Sequence, residues 1–395
     1  MKELSRIALN IQPSATLAVD ALFKQMKEDG QNVVGFGAGE PDFNTPDNIN
    51  EAAFEAIKNG HTRYTNTSGI PELRAAVVER LNVDCGVDYK ANQIVVASGA
   101  KHSIYAALRA LINVGDEVIV PAPYWVTYTE AIKMVGGVPV IISASESSDF
   151  KITKSQLEKA VTERTKLFII NNPSNPTGML YSKDELRELV DICVKHDLYI
   201  IADEIYYRLV YDDKKFTSVA ELGDDVKERT ILINGVSKTY AMTGWRIGYS
   251  ASSVKLAEIM GNYLSHSTSA PSTISQYAAV EALNGSQESI DIMRVEFEKR
   301  RNYIVERINA IDGLSCRKPD GAFYVMVNIE KQIGRTLGGK IITNSDDFSL
   351  AFLESGLVAT VSCTSFGCEN FVRLTYTSSI ETIKEGMDRL ENFVK

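Results

Sequence analysis

The middle of this chain alternates short, almost wholly apolar runs with longer amphipathic ones, and few folds accept that pattern. Gln93–Ala97, Asp116–Val120, Val138–Ile142, Lys166–Ile170, Leu198–Ala202 and Thr230–Ile233 read as strands, while residues 100–112, the stretch near 126–135 and residues 182–196 read as helices. A strand that is apolar on both faces must be covered on both, and the intervening helices supply the cover. The pattern therefore predicts an α/β fold with a mostly parallel sheet between two helical layers. Such sheets bind ligands at the carboxyl ends of their strands, so the residues just after each apolar run are the first candidates for chemistry. At 395 residues the chain is too long for one core, the usual ceiling being about 250–300 residues, and two domains are expected. After Gly285 the texture changes: residues 286–311 are charge-rich at helical spacing, and Phe323–Val327 and Phe371–Thr375 read as strands of a smaller α+β unit. The N-terminal segment carries its own short strand, Val33–Phe36.

Charge and composition exclude several classes of function. A net charge of -9 speaks against nonspecific nucleic-acid binding, which needs basic surface. No run of eighteen apolar residues is present, and Met1–Arg6 has no apolar signal core, so neither a membrane span nor a secretory leader is expected. Cys85, Cys193, Cys316, Cys363 and Cys368 are scattered without a CxxC pair, which fits reduced thiols in the cytoplasm. The four histidines lack metal-pair spacing, and no metal is expected.

The segment Gly235-Val-Ser-Lys-Thr-Tyr-Ala-Met-Thr-Gly-Trp-Arg-Ile-Gly248 follows the last apolar run of the series. From Ile231 to Val254 its only charged side chains are Lys238 and Arg246. Desolvation disfavours the ammonium form of a lysine among apolar neighbours and makes it a usable nucleophile or base. The permanent cation beside it suits a phosphate. Together they point to a lysine that forms a Schiff base with a phosphorylated aldehyde cofactor. Three further clusters follow strands. Ala97-Ser-Gly-Ala-Lys101 joins a strand to a helix whose free N–H groups suit a phosphate. Asn171-Asn-Pro-Ser-Asn-Pro-Thr-Gly178 is a dense turn, and Asp203 ends a strand that reads as buried, where a carboxylate needs a cationic partner or serves as a helix cap. Gly37-Ala-Gly-Glu40 fails the dinucleotide-binding GxGxxG pattern at Glu40.

The 235–248 segment resembles, at each of its specified positions, the cofactor-lysine motif of class I aminotransferases, which use pyridoxal 5′-phosphate; 171–178 is similar to the family's N-P-x-N-P-T-G signature. The resemblance implies fold type I of the pyridoxal-phosphate enzymes: a seven-stranded sheet sandwiched by helices in a large domain, plus a smaller discontinuous α+β domain. The implied boundaries are an arm and part of the small domain at 1–45, a large cofactor-binding domain at 46–285, and a C-terminal small domain at 286–395 entered by an interdomain helix at 286–311. It implies that Lys238 is the catalytic Schiff-base lysine, and that Gly99, Ala100, Ser237 and Arg246 belong to the cofactor phosphate site. By the same resemblance Trp125 stacks on the pyridine ring, Asp203 pairs with its nitrogen, Asn175 and Tyr206 bond its phenolate oxygen, and Tyr64 reaches the phosphate of a partner subunit in a homodimer. Arg373 and the Gly39 backbone would hold the substrate α-carboxylate.

From Leu9–Thr16 to Arg373 the chain is most similar to the bacterial aspartate aminotransferase subgroup, in which the lysine matching Lys101 reads the distal carboxylate. The implied activity is reversible, ping-pong amino transfer between aspartate and 2-oxoglutarate. Alternatives at the same site are an aromatic, glutamate or prephenate aminotransferase, a C–S β-lyase, or a cofactor-binding module without turnover. Two positions depart from the pattern. Gln12 stands where prephenate-accepting relatives carry a basic residue, and Ser362-Cys363 replaces a Pro-Gly turn near the substrate entrance.

Overall fold

The computed structural model describes residues 2–395. Its centre is a seven-stranded sheet built from β2 (Ile94–Ala97), β3 (Glu117–Ala122), β4 (Val138–Ser143), β5 (Thr165–Asn171), β6 (Tyr199–Asp203), β7 (Thr230–Gly235) and β8 (Gly248–Ala251), in the spatial order β2-β8-β7-β6-β5-β3-β4. The pairings β4–β3–β5–β6–β7 are parallel, and β8 runs antiparallel to both β7 and β2. Six of these strands coincide with the apolar runs; β8 was not among them, because Gly-Tyr-Ser-Ala carries too little apolar signal to stand out. Every residue of β2, β7 and β8 is buried, as the two-sided cover of a doubly packed sheet requires.

The helices follow the same logic. Helix Ala100–Leu111 buries Ile104, Ala107, Leu108 and Leu111, a stripe at helical spacing that faces the sheet. Helix Lys183–Lys195 starts with a capping box in which Ser182 and Glu185 satisfy each other's backbone N–H groups. Two helices not anticipated from the sequence, Val254–Ser265 and Thr273–Asn284, pack on opposite sides of the sheet's β2–β8 end.

Strand β1 (Val34–Gly35) opens the chain's other sheet system, and beyond the long helix Glu288–Ala310 come β9 (Ser315–Cys316), β10 (Tyr324–Asn328), a hairpin of β11 (Thr336–Leu337) and β12 (Lys340–Ile341), β13 (Val358–Ala359), β14 (Val361–Ser362) and β15 (Phe371–Thr375). The order β14-β15-β10-β9 is antiparallel, and β1 pairs in parallel with β13. Val34 and Phe36 share one buried cluster with Phe297, Phe323 and Leu374, and so do Ile205, Tyr206 and Leu209 from the turn after β6. The long helix ties these parts together by charge as well: buried Arg301 donates to both carboxylate oxygens of Asp212 (2.8 and 2.9 Å) and to the Pro319 carbonyl. Such a fork is directional, so it sets the angle between the helix and the loop after β6. No helix among the described residues is long and apolar enough to cross a membrane.

Candidate active site

The parallel strands deliver their carboxyl ends to one edge of the sheet, and β8, running the other way, starts there. Gly99 follows β2, Trp125 follows β3, Asn175 follows β5, Asp203 ends β6, Lys238 follows β7, and Arg246 precedes β8. Residues as far apart in sequence as Ala100 and Arg246 are thereby gathered around a cavity of about 250 Å³, which Arg373 of β15 and Gly39 close from the other sheet system. Of the candidates, Gly39, Ala100, Lys101, Trp125, Asn175, Asp203, Tyr206, Ser237, Lys238, Arg246 and Arg373 line this cavity. Gly99 lies directly behind Arg246. Tyr64 does not reach the cavity of its own chain: it is 100% exposed on a loop.

Lys238 is the centre of the arrangement. Its Nζ donates to the Gly39 carbonyl at 2.5 Å and lies 5.8 Å from the Phe323 ring. Burial pushes its ammonium down to about 8, an effect that Glu40 opposes and Arg246 and Arg373 reinforce. A lysine so placed is an amine for an appreciable fraction of the time near neutral pH, which free lysine is not.

Asp203 is buried at the end of β6. Loss of water drives its carboxyl up to about 6, opposed first by the Tyr128 hydroxyl, which donates to Oδ2 at 2.6 Å, and then by the Ile205 N–H, which donates to Oδ1 at 3.3 Å. Tyr128 was missed in the sequence. Its signal was there: it sits three residues after Trp125 at the start of helix Thr127–Met134, and the two rings meet edge to face at 5.5 Å. The carboxylate has hydrogen bonds but no cation in contact among the described residues, so the cavity presents a buried negative charge to whatever enters.

Arg373 is fully buried. Its Nη1 donates to Asn175 Oδ1 (3.1 Å), its Nη2 donates to the Gly37 carbonyl (2.8 Å), and its Nε has no partner among the described residues. A buried guanidinium with an orphan donor is suited to a carboxylate. Asn175 is itself fixed by its N–H, which donates to Asn171 Oδ1 at 2.7 Å.

At the other end of the cavity the backbone is drawn tight. Gly99 has φ +90°, and a Cβ there would lie 2.3 Å from Arg246 Nη2; a Cβ on Gly248 would lie 2.2 Å from the Ala100 nitrogen. Only glycine permits that approach. The result is a cup made of the first N–H groups of helix Ala100–Leu111 and the Arg246 guanidinium, which donates to the Thr243 carbonyl at 2.8 Å. Lys101 continues the positive rim: its Nζ sits 4.9 Å from the Trp125 ring, and burial, then Arg246, lowers its pKa. Ser14, Thr16 and Leu17 from the N-terminal segment complete the lining, a contribution the sequence did not signal.

The two departures are also placed. The Gln12 N–H donates to Glu130 at 3.0 Å and its residue lines a neighbouring cavity of about 830 Å³. Ser362 and Cys363 open a 3₁₀ turn that ends at Gly367, φ +75°, against the Tyr124 ring, and Phe366 of this turn lies 5.1 Å from the Arg373 guanidinium. No group of three or more metal-binding side chains occurs among the described residues.

Comparison with known proteins identifies the family. A family model described as aminotransferase class I and II matches residues 31–390. The chain is 44% identical, over 100% of both proteins, to an aspartate aminotransferase of Bacillus sp. (strain YM-2). Its structure superposes on the aspartate aminotransferase of Rhizobium meliloti with a TM-score of 0.96 at 39% identity, covering 100% of this chain and 99% of that one. On the Thermus thermophilus aspartate aminotransferase with maleate the TM-score is 0.94 at 35% identity, with 100% of both chains covered. The fold around the cavity is thus that of an established enzyme family: this chain belongs to the class I and II aminotransferases.

Proposed function

We propose that the chain is a pyridoxal 5′-phosphate-dependent aspartate:2-oxoglutarate aminotransferase. The observation that carries this reading is the buried, low-pKa Lys238 that shares one cavity with a buried carboxylate held only by neutral donors, Asp203, and a buried guanidinium with an orphan donor, Arg373. The residues fit the cofactor. The glycine-lined cup at Gly99, Ala100 and Arg246, with Ser237 beside it, suits a phosphate dianion. Asp203 suits a protonated pyridine nitrogen, Trp125 offers a ring face, and Asn175 and Tyr206 offer donors to a phenolate oxygen. When bound, pyridoxal phosphate supplies an aldehyde carbon for amines and a ring that accepts the electron pair left when Cα loses its proton.

The chain's own groups do the rest. Asp203, held ionised by Tyr128, would keep the ring nitrogen protonated. Arg373 takes the α-carboxylate bidentately and so fixes the Cα–H bond relative to Lys238 Nζ, which as a free amine takes that proton and would deliver it to the carbon that had been the cofactor's aldehyde. Lys101, a cation on the rim, faces a second carboxylate. The maleate held by the Thermus thermophilus relative is such a dicarboxylate, and this favours aspartate and glutamate over aromatic side chains as donors. Two substrate pairs using one site in turn require ping-pong kinetics.

Tyr64 fits a role at a partner subunit: an aromatic ring wholly exposed in the isolated chain is suited to burial against a second copy, and we read the enzyme as a homodimer with shared sites. The scattered free cysteines suit the cytoplasm. The pairing of β1 with β13 supports a small domain made of residues 1–45 and 286–395 around a large domain at 46–285. A panel of amino donors against 2-oxoglutarate tests the substrate. The expected result is that aspartate leads and that Lys101→Ala depresses kcat/KM for aspartate and glutamate by about 10² while alanine changes little. An equal loss for all three removes Lys101 from substrate recognition.

A further inference from the structure

We propose that Tyr324 is a positioning residue of this site, its hydroxyl orienting the proton of Tyr206 and its ring holding the guanidinium of Arg373. The inference rests on the assignment of Tyr206 and Arg373 just made and extends it to a residue outside that assignment.

Sheet register brings Tyr324 into place. On β10 and β15, Tyr324 pairs with Thr375 and Met326 with Arg373. Tyr324 and Arg373 are therefore diagonal neighbours on one face of the sheet, within reach of a long side chain. The guanidinium lies 4.6 Å from the Tyr324 ring and 5.1 Å from the Phe366 ring, so it is held between two aromatic faces. Those faces constrain the plane of the fork and leave its edge free for a carboxylate.

The hydroxyl has a different task. Tyr324 Oη is 2.8 Å from Tyr206 Oη, both groups are buried, and neither hydroxyl has another hydrogen bond among the described residues. Each phenol has one proton. When Tyr206 gives its proton to an acceptor in the cavity, the shared bond must run from Tyr324 to Tyr206. A donor whose own oxygen accepts a bond is a stronger donor, so Tyr324 strengthens the contact that Tyr206 makes. The position of the hydroxyl is enforced from the third side by Gly39, where a Cβ would lie 2.8 Å from Tyr324 Oη. The same Gly39 carbonyl accepts from Lys238 Nζ. Tyr324 thus touches the cofactor-facing phenol, the carboxylate receptor and the backbone that holds the lysine.

Ring and hydroxyl are separable by mutation. The readouts are the pH midpoint of the visible absorbance of the cofactor-loaded protein and the split between kcat and KM for aspartate. Tyr324→Phe keeps the ring and deletes the proton. It should raise the midpoint by about half a unit to one unit, because weaker donation to the cofactor oxygen favours the protonated chromophore. It should lower kcat about three- to tenfold and leave KM for aspartate within about twofold. Tyr324→Leu should add a rise in KM of about tenfold. With Tyr206→Phe already in place, adding Tyr324→Phe should not move the midpoint further. A midpoint that shifts in Tyr206→Phe and stays put in Tyr324→Phe overturns the inference and leaves the site assignment standing. A midpoint unmoved in Tyr206→Phe overturns both.

Discussion

Removing the Tyr128 hydroxyl should weaken cofactor binding in a way that depends steeply on pH. The 2.6 Å bond from Tyr128 to Asp203 Oδ2 is charge-assisted and buried, and bonds of that kind contribute about 1.5–3 kcal/mol. Burial raises the Tyr128 phenol well above its ordinary range, so it is a donor at every working pH. Asp203 already stands at about 6 because of burial, and losing the donor should raise it by about one to two units. A protonated Asp203 cannot pair with a protonated pyridine nitrogen, so each cofactor molecule must first meet the cost of ionising it. With a rise of about 1.5 units, the dissociation constant of Tyr128→Phe relative to the parent should be about 15-fold higher at pH 6, about 4-fold at pH 7 and equal by about pH 9. The lost bond itself cancels above that pH, since Asp203 is then ionised with and without cofactor. The Trp125 edge contact survives, because phenylalanine keeps the ring. Reconstitution of cofactor-free protein, followed by absorbance between pH 6 and 9, measures the ratio. A ratio independent of pH would refute the claim that Tyr128 acts by holding Asp203 ionised.

Three further outcomes are expected. Lys238→Ala should leave no borohydride-reducible cofactor adduct on the chain, with kcat reduced by about 10⁴ or more; a reduced adduct on another lysine, found by mass spectrometry, would displace Lys238 from its role. In cofactor-free protein the folded lysine titrates near 8 against 10.5 when free. The unfolded chain thus binds more protons between those values, and stability rises with pH there. Lys238→Met should therefore be more stable than the parent at pH 7 by about 2 kcal/mol, after allowing for the lost bond to Gly39. That advantage should fade between pH 8 and 10.5 in urea unfolding, and an advantage that grows with pH would contradict the burial argument. Gly99→Ala should weaken cofactor binding about tenfold or more, since the new methyl must displace Arg246 and the residue must hold φ +90°; unchanged affinity would remove Arg246 from the phosphate cup.

Much of this protein was legible in its amino-acid order because the relevant physics is local. An apolar run with no polar face must be a covered strand, and five of the six strands read this way end within residues that line the cavity or lead directly into it. Lys238 and Arg246 stood out as the sole charges of a long apolar stretch, and both are in the site. Strand β8 was not legible, because four small or mixed residues show no hydrophobic signature until β7 and β2 bury them on either side. Neither was the N-terminal contribution of Ser14, Thr16 and Leu17, since nothing in a polar segment says which cleft it crosses.

Residue chemistry and strand ends were therefore settled by the chain alone: which lysine is desolvated, which carboxylate ends a buried strand, which glycines precede a helix. The tertiary structure decided the partners. Tyr128 meets Asp203 across 75 positions, Tyr324 meets Tyr206 across 118, and Arg373 meets Asn175 across 198. Hydrogen bonds a few ångströms long depend on register and crossing angles in two separate sheets, and those are set by the packing of the whole core, which no local stretch of sequence encodes.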